Sequence, residues 1–176
     1  MDSCGILDKV KYDKFSQYSP ELKFGFIVSE SIQLNQAEYR DLFEEEMVET
    51  DTCYLFGKYE INKDRIGVYS YRTTYECDHR IRMIEFSIFE KCKKIDSKII
   101  SFEDNDGFLY SISSKFNKDF NQLTIIERRG SEYGTEPGAT RDTLFINTFK
   151  VDLNSKNLDT VDKNTQFEII KSPPQK

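Results

Sequence analysis

Tryptophan is absent from this chain, alanine occurs only at Ala37 and Ala139, and histidine only at His79. Each shortage narrows the field. A helical protein of this size draws heavily on alanine, the best helix former, so the composition speaks against an all-α fold. Glycosidase clefts commonly stack sugars on tryptophan, and none is present to do so. With one histidine, any Ser-His-Asp or Cys-His system must run through His79, and no G-x-S-x-G element accompanies it. Asp78 beside it offers an orienting carboxylate, although a solvated loop residue is the simpler account. No run of 18 apolar residues occurs, so no segment is long enough to cross a membrane as a helix. No C-x-x-C spacing links Cys4, Cys53, Cys77 and Cys92, which removes the zinc-ribbon and thioredoxin-like patterns. The net charge is −6 and the estimated pI about 5.0, whereas nucleic acid and anionic membranes call for clustered Lys and Arg. Nucleic acid and anionic membrane surfaces are therefore poor candidates for the main partner.

Aromatic side chains fill much of the gap. They make up 14% of the chain, as 14 Phe and 10 Tyr. Each removes about 150–250 Å² from water when buried. A core is thus within reach even though apolar residues reach only 38%. Phe, Tyr, Ile and Thr suit a half-buried pleated surface. A length of 176 residues fits one domain.

Residues 1–22 are mixed and polar and read as an irregular lead-in. Residues 23–171 form a single β domain, and 172–176 a disordered tail. A first strand is expected over 24–32. The period then changes. Asn35 can cap a helix with Glu38 three residues on, and Tyr39, Leu42, Phe43 and Met47 make one apolar stripe. This predicts a short helix over about 36–47. Strands follow over 54–61, 66–72, 80–89, 97–102, 108–116, 120–127, 143–151 and 166–170, with turns between them. Apolar residues change face near Met83 and Ile84, which signals a bulge or burial on both sides. No helical stretch separates these strands, so crossover connections are not expected. The fold class is mainly all-β: an antiparallel meander of 8–9 strands, curved or closed into a barrel, with one short N-terminal helix.

Cys53-Tyr-Leu-Phe-Gly-Lys-Tyr59, Ile66-Gly-Val-Tyr69, Ile84-Glu-Phe-Ser-Ile-Phe89, Lys94-Ile-Asp-Ser97 and Phe120-Asn-Gln-Leu-Thr-Ile125 share one strand-and-turn rhythm. Over about residues 22–152 it resembles small uncharacterised secreted or lipid-anchored proteins of Bacteroidetes. The resemblance implies an envelope location and a β-meander, and carries no functional residues. A trimmed lipoprotein would put its acylated residue at Cys4; otherwise Cys4 is a free thiol. In an exported protein Cys77 and Cys92 can pair across adjacent strands. In the cytoplasm they stay reduced, the state slightly preferred here.

Several residue groups invite a chemical role. Cys77 and His79 have the i, i+2 spacing of two ligands on one strand face, but no second pair completes a zinc site. Glu103 to Gly107 looks like a calcium loop. The EF-hand pattern nevertheless fails, because Phe102 and Ile112 occupy positions that need acids. Tyr69, Tyr71 and Tyr75 with Arg72, Arg80 and Arg82 suggest an outward binding patch, set against ordinary cross-strand packing. The strongest signal is acidic. Glu38, Asp41, Glu44, Glu45, Glu46, Glu49 and Asp51 face only Arg40 between residues 38 and 51, so this stretch carries the whole net charge. Glu44 to Glu46 would lie near a helix C-terminus, where acids are unfavourable. These seven acids are the candidate partner-binding residues, since such a field speeds association with a basic protein.

The expectation is a non-enzymatic protein-interaction module, with an acidic immunity-type inhibitor of a basic toxin or enzyme as one concrete form. The alternative is a β-barrel holding a small apolar ligand in the cell envelope. No catalytic residue, metal or cofactor is assigned. The location is the envelope or periplasm if a leader was removed, and otherwise the cytoplasm.

Overall fold

The structure is a computed structural model that describes residues 3–11, 31–49, 51–76, 79–104, 110–119, 121–130, 143–155 and 158–169. Among the described residues, nine strands lie in one antiparallel sheet in sequence order: β1 (Ile32–Leu34), β2 (Thr52–Asn62), β3 (Arg65–Glu76), β4 (His79–Glu90), β5 (Lys93–Asp104), β6 (Tyr110–Phe116), β7 (Gln122–Gly130), β8 (Thr143–Asp152) and β9 (Thr160–Ile169). The described residues also include the helices α1 (Ser3–Lys9) and α2 (Gln36–Phe43). The meander is as expected and the sheet is open, with β1 and β9 as its edges. Among the described residues the sheet does not close into a barrel.

The residues that form β2 to β5 explain their own burial. Residues 84 to 89 of β4 are buried without a break, so both faces of this strand are covered. The pairing with β5 also slips between Ile84 and Glu85, where Ile100 is the extra residue. Because that extra residue is in β5 and the register of β4 with β3 is unbroken, the face switch visible in the β4 sequence comes from burial on both sides and not from a bulge in β4. One face of the sheet carries Tyr69, Tyr71, Ile84, Phe86 and Ile88, which join Leu123, Ile125 and Val151 in a common core. Phe116 of β6 meets Tyr69 and Phe86 edge-on at 6.2 and 5.9 Å between ring centroids. The sheet must bend between β5 and β6 to bring these rings together. Only two residue pairs join β5 to β6 among the described residues, Phe102 with Ile112 and Glu103 with Ser111. Two ties hold the bend. Arg65 donates to the Ser155 carbonyl at 2.9 Å, and the Leu158 amide donates to Asp96 at 2.6 Å.

The other face is covered by the helices. Leu34, Cys53, Leu55, Val68 and Phe89 pack with Ile6, Leu7 and Val10 around α1 and with Tyr39, Leu42 and Phe43 of α2. Residues 3–9 are thus a packed helix and not irregular chain. Ile6, Leu7 and Val10 supply its apolar stripe, a spacing too short to stand out from sequence. A disulfide joins Cys4 to Cys92 in the β4–β5 turn, with 5.2 Å between their Cα atoms. The Cys4 sulfur is consumed by this bond, so it is not the acyl-bearing thioether, and the Cys77–Cys92 pairing is likewise excluded. Cys53 is a buried free thiol, and Cys77 lies outside the described residues.

The helix expected over 36–47 ends at Phe43, because Glu44 adopts the left-handed conformation at φ 58° while its amide donates to Arg40. β3, β5 and β9 begin or end several residues beyond their expected limits. His79 opens β4 opposite Glu76 and does not sit in a loop. Tyr69 and Tyr71 are core residues while Arg72 lies on the opposite face, so the outward Tyr/Arg patch is not assembled. The expected strand over 24–31, the Gly-rich loop after residue 130 and the tail lie outside the described residues, as does most of the 103–107 turn.

Candidate functional site

The seven acids do not form one surface, because the fold sorts them. Glu38 is used at the start of α2. Its amide donates to Asn35 Oδ1 at 3.0 Å, and the Asn35 amide donates back to Glu38 Oε2 at 3.1 Å. This capping box satisfies helix amides that would otherwise lack acceptors. Past Glu44, Glu45 reaches the cations of the sheet while about half of its side chain, 48%, stays in water. Its Oε1 lies 2.7 Å from Lys94 Nζ; its Oε2 accepts from Tyr39 Oη at 3.1 Å and lies 3.7 Å from Arg72. Asp51 opens β2 almost fully buried, with Oδ2 4.0 Å from the other Arg72 nitrogen. Glu85 of β4 closes the set, 4.0 Å from Lys94 and accepting from Ser87 Oγ at 3.1 Å.

Sheet register creates this meeting. Cys53 of β2 pairs with Arg72 of β3, which pairs with Met83 of β4, and Phe89 of β4 pairs with Lys94 of β5. Both cations emerge on the helix face just beyond the apolar cluster. Each also lies over an aromatic ring of α2: Arg72 is 5.2 Å from the Tyr39 centroid and Lys94 is 5.3 Å from that of Phe43. Three acids and two bases thus pin the segment after α2 to the sheet. Partly desolvated networks of this kind hold geometry better than single exposed pairs do.

The electrostatics follow from the contacts. Burial works to raise the Glu45 carboxyl, but the Lys94 hydrogen bond and charge, with Tyr39 and Arg72, outweigh it. Glu45 is held below the usual carboxylate value. Burial raises the Tyr39 phenol, and Arg72 only partly offsets it. Burial pushes the Cys53 thiol up to about 12, with Arg72 opposing and Glu85 and Glu45 reinforcing. Cys53 is therefore a protonated thiol at neutral pH, where nucleophilic attack needs the thiolate.

With Glu45 as the anchor, its neighbours point away. Glu44, Glu46 and Glu49 are exposed, and Glu46 keeps 80% of its side chain in water with only a 3.7 Å contact to Arg40. Val48 sits among them at 64% exposure. Asp41 is exposed on α2. The arrangement is an apolar knob within an acidic rim, on a segment fixed from behind. Sequence reasoning found the acids, placed Arg72 in an outward Tyr/Arg patch instead of with them, and missed Lys94 and Glu85. Glu85 carried a usable signal: an acid inside Ile84-Glu-Phe-Ser-Ile88 requires a cation if that run is buried. Among the described residues, no three His, Cys, Asp or Glu side chains gather as metal ligands would. Comparison with protein-family models, curated proteins and solved structures finds no match to this chain.

Proposed function

We propose that the protein is a non-enzymatic interaction module that binds a basic protein through the segment from Glu44 to Glu49. The observation that supports it is the pinning of Glu45 by Lys94, Tyr39 and Arg72. That anchor orders an exposed acidic rim before any partner arrives, which lowers the entropy lost on binding. The rim attracts a cationic surface over a distance set by salt, and Val48 supplies apolar contact at its centre. An immunity-type inhibitor, lying over the positively charged active site of a toxin or enzyme, is the concrete form. The Cys4–Cys92 bond favours an oxidising compartment, hence the cell envelope or beyond it.

The test compares the wild type with Glu44→Lys/Glu46→Lys/Glu49→Lys, which leaves Glu45 in place. Immobilised wild type should retain a basic protein from the native cell's extract at low salt and release it at high salt. Once that protein is purified, the triple variant should bind it at least about tenfold more weakly, mainly through slower association. Equal affinity of the two chains would refute the acidic-rim interface.

A further inference from the structure

We propose that the Cys4–Cys92 disulfide is a thiol-operated latch: a dithiol reductant opens it on the folded protein, and α1 then leaves the sheet. The bond is open to attack. Cys4 is exposed and Cys92 half-buried, whereas Cys53 is fully buried. A reductant therefore reaches the Cys4 sulfur while the sheet stays folded, and exposed disulfides are the labile ones. The leaving group is favourable too. Cys92 stands in the chain between Lys91 and Lys93, both exposed, and neighbouring cations stabilise a thiolate. A less basic thiolate departs faster.

The turn that carries Cys92 is strained. Glu90 pairs with Lys93, so Lys91 and Cys92 are the two central residues of the hairpin. Both are left-handed, at φ 49° and 65°. Hairpins of this form favour Asn-Gly at these places, and a residue with a Cβ is held there at a cost. Such strain gathers at clamps and switches. The bond thus ends on a strained residue.

What the bond holds is marginal by itself. α1 has seven residues, and helices this short do not persist alone in water. It rests on the sheet through Ile6, Leu7 and Val10. Lys58 of β2 donates from Nζ to the Leu7 carbonyl and from its amide to the Lys11 carbonyl. These contacts stand against the entropy of ordering residues 3–11, so covalent closure decides the balance. Release also returns the buried Lys58 ammonium to water, where a cation is better solvated. One thiolate of the dithiol attacks Cys4 Sγ; a mixed disulfide forms and the Cys92 thiolate departs. The second thiol of the reductant then attacks its own sulfur in that mixed disulfide and expels the Cys4 thiolate. The reductant ends as a disulfide, having given two electrons and two protons to the two cysteines. The state of the bond thereby sets whether α1 covers the sheet around Lys58 and Val68.

The experiment uses the Cys77→Ser chain, which leaves Cys53 as the one other cysteine. Dithiothreitol is added at neutral pH without denaturant. Alkylation read by mass spectrometry follows the bond, and hydrogen exchange follows the backbone. Cys4 and Cys92 should become alkylated while Cys53 stays protected. Exchange in residues 3–11 should rise by about a hundredfold or more, with β3 and β4 unchanged. Cys4→Ser/Cys92→Ser in the same background should exchange like the reduced chain with no reductant present. A bond that resists the reductant or opens only together with alkylation of Cys53, or a reduced chain whose residues 3–11 keep their protection, would overturn the proposal.

Discussion

Arg72 is the residue on which the helix-face network turns, and its removal can be estimated from the contacts. One guanidinium nitrogen lies 3.7 Å from Glu45 and the other 4.0 Å from Asp51, whose side chain is only 5% exposed. Two unit charges 4 Å apart attract by about 4 kcal/mol at an effective dielectric near 20. Burying Asp51 opposes that gain, so the pair itself contributes little net stability. Breaking it is different, since the carboxylate stays buried. Losing one partner of a buried pair costs roughly 3–5 kcal/mol. Arg72 keeps a fifth of its side chain in water and both contacts are long, so about 2–3 kcal/mol is expected for Arg72→Met. Asp51 Oδ1 already lacks a hydrogen-bond partner, so no second donor takes over. Urea unfolding at neutral pH measures the loss, provided the m-value is unchanged. Adding Asp51→Asn to Arg72→Met should recover about 1 kcal/mol or more, because the stranded charge is gone. A loss below about 1 kcal/mol, the range of ordinary surface pairs, would refute a buried role for this ion pair.

Gly67→Ala should destabilise by about 1–3 kcal/mol, because any Cβ at Gly67 overlaps the Phe86 ring lying across it. Gly67→Ala/Phe86→Leu should lose less than the two single losses added; strict additivity in unfolding experiments would show that the ring is not the obstacle. Replacing Cys4 and Cys92 by Ser opens a link spanning 88 residues of sequence. Loop entropy sets its stabilisation at up to about 4–5 kcal/mol, a fall in Tm on the order of 10 °C by calorimetry. A fall of about 2 °C or less would contradict the tethering of α1. Glu45 has a folded-state pKa below its ordinary value of 4.5, so its stabilising effect is complete above that pH and fades as pH falls through the folded value. Stability followed from pH 6 to about pH 2 should thus drop more shallowly in Glu45→Gln than in wild type; parallel curves would contradict the Lys94 contact.

The strand succession was legible because alternation and turn residues are local. Ile66, Val68 and Ser70 announce β3, and Asn62 closes the turn before it by accepting from the Asp64 amide at 3.0 Å. The capping box of α2 was legible for the same reason, since Asn35 and Glu38 are three residues apart. Its end was not. Glu44 sits in a left-handed conformation that favours glycine, and Lys91 and Cys92 do the same in the β4–β5 turn. Tertiary ties overrule propensity at both places: Glu45 is held by Lys94 just past the first, and Cys92 by Cys4 within the second. The acids could be counted, but their division between anchor and rim depended on cations 27 and 49 residues away, at Arg72 and Lys94 relative to Glu45.

Register slips explain why such partners could not be paired from alternation alone. In β2 the pairing with β3 passes from Leu55–Ser70 to Gly57–Tyr69, so Phe56 is an extra residue. Without that slip, Lys58 would lie opposite the helix face. With it, Lys58 falls beside Val68 on the helix side and is buried. There its Nζ donates to the Leu7 carbonyl at 2.9 Å, near the end of α1, and its amide donates to Lys11 at 3.1 Å. A cation at a helix C-terminus satisfies carbonyls that lack intrahelical donors and complements the helix dipole. One inserted residue thus moves the lysine from the face of the Tyr69 and Phe86 core to the helix side, as the buried cap of a helix 51 positions away in sequence. Lys94 follows the same logic in β5, where the extra residues Ile100 and Ile95 bring it opposite Phe89 on the helix side. The slips, each a single residue, decide which charges meet beneath the helices, and the acidic rim is held in place by that outcome.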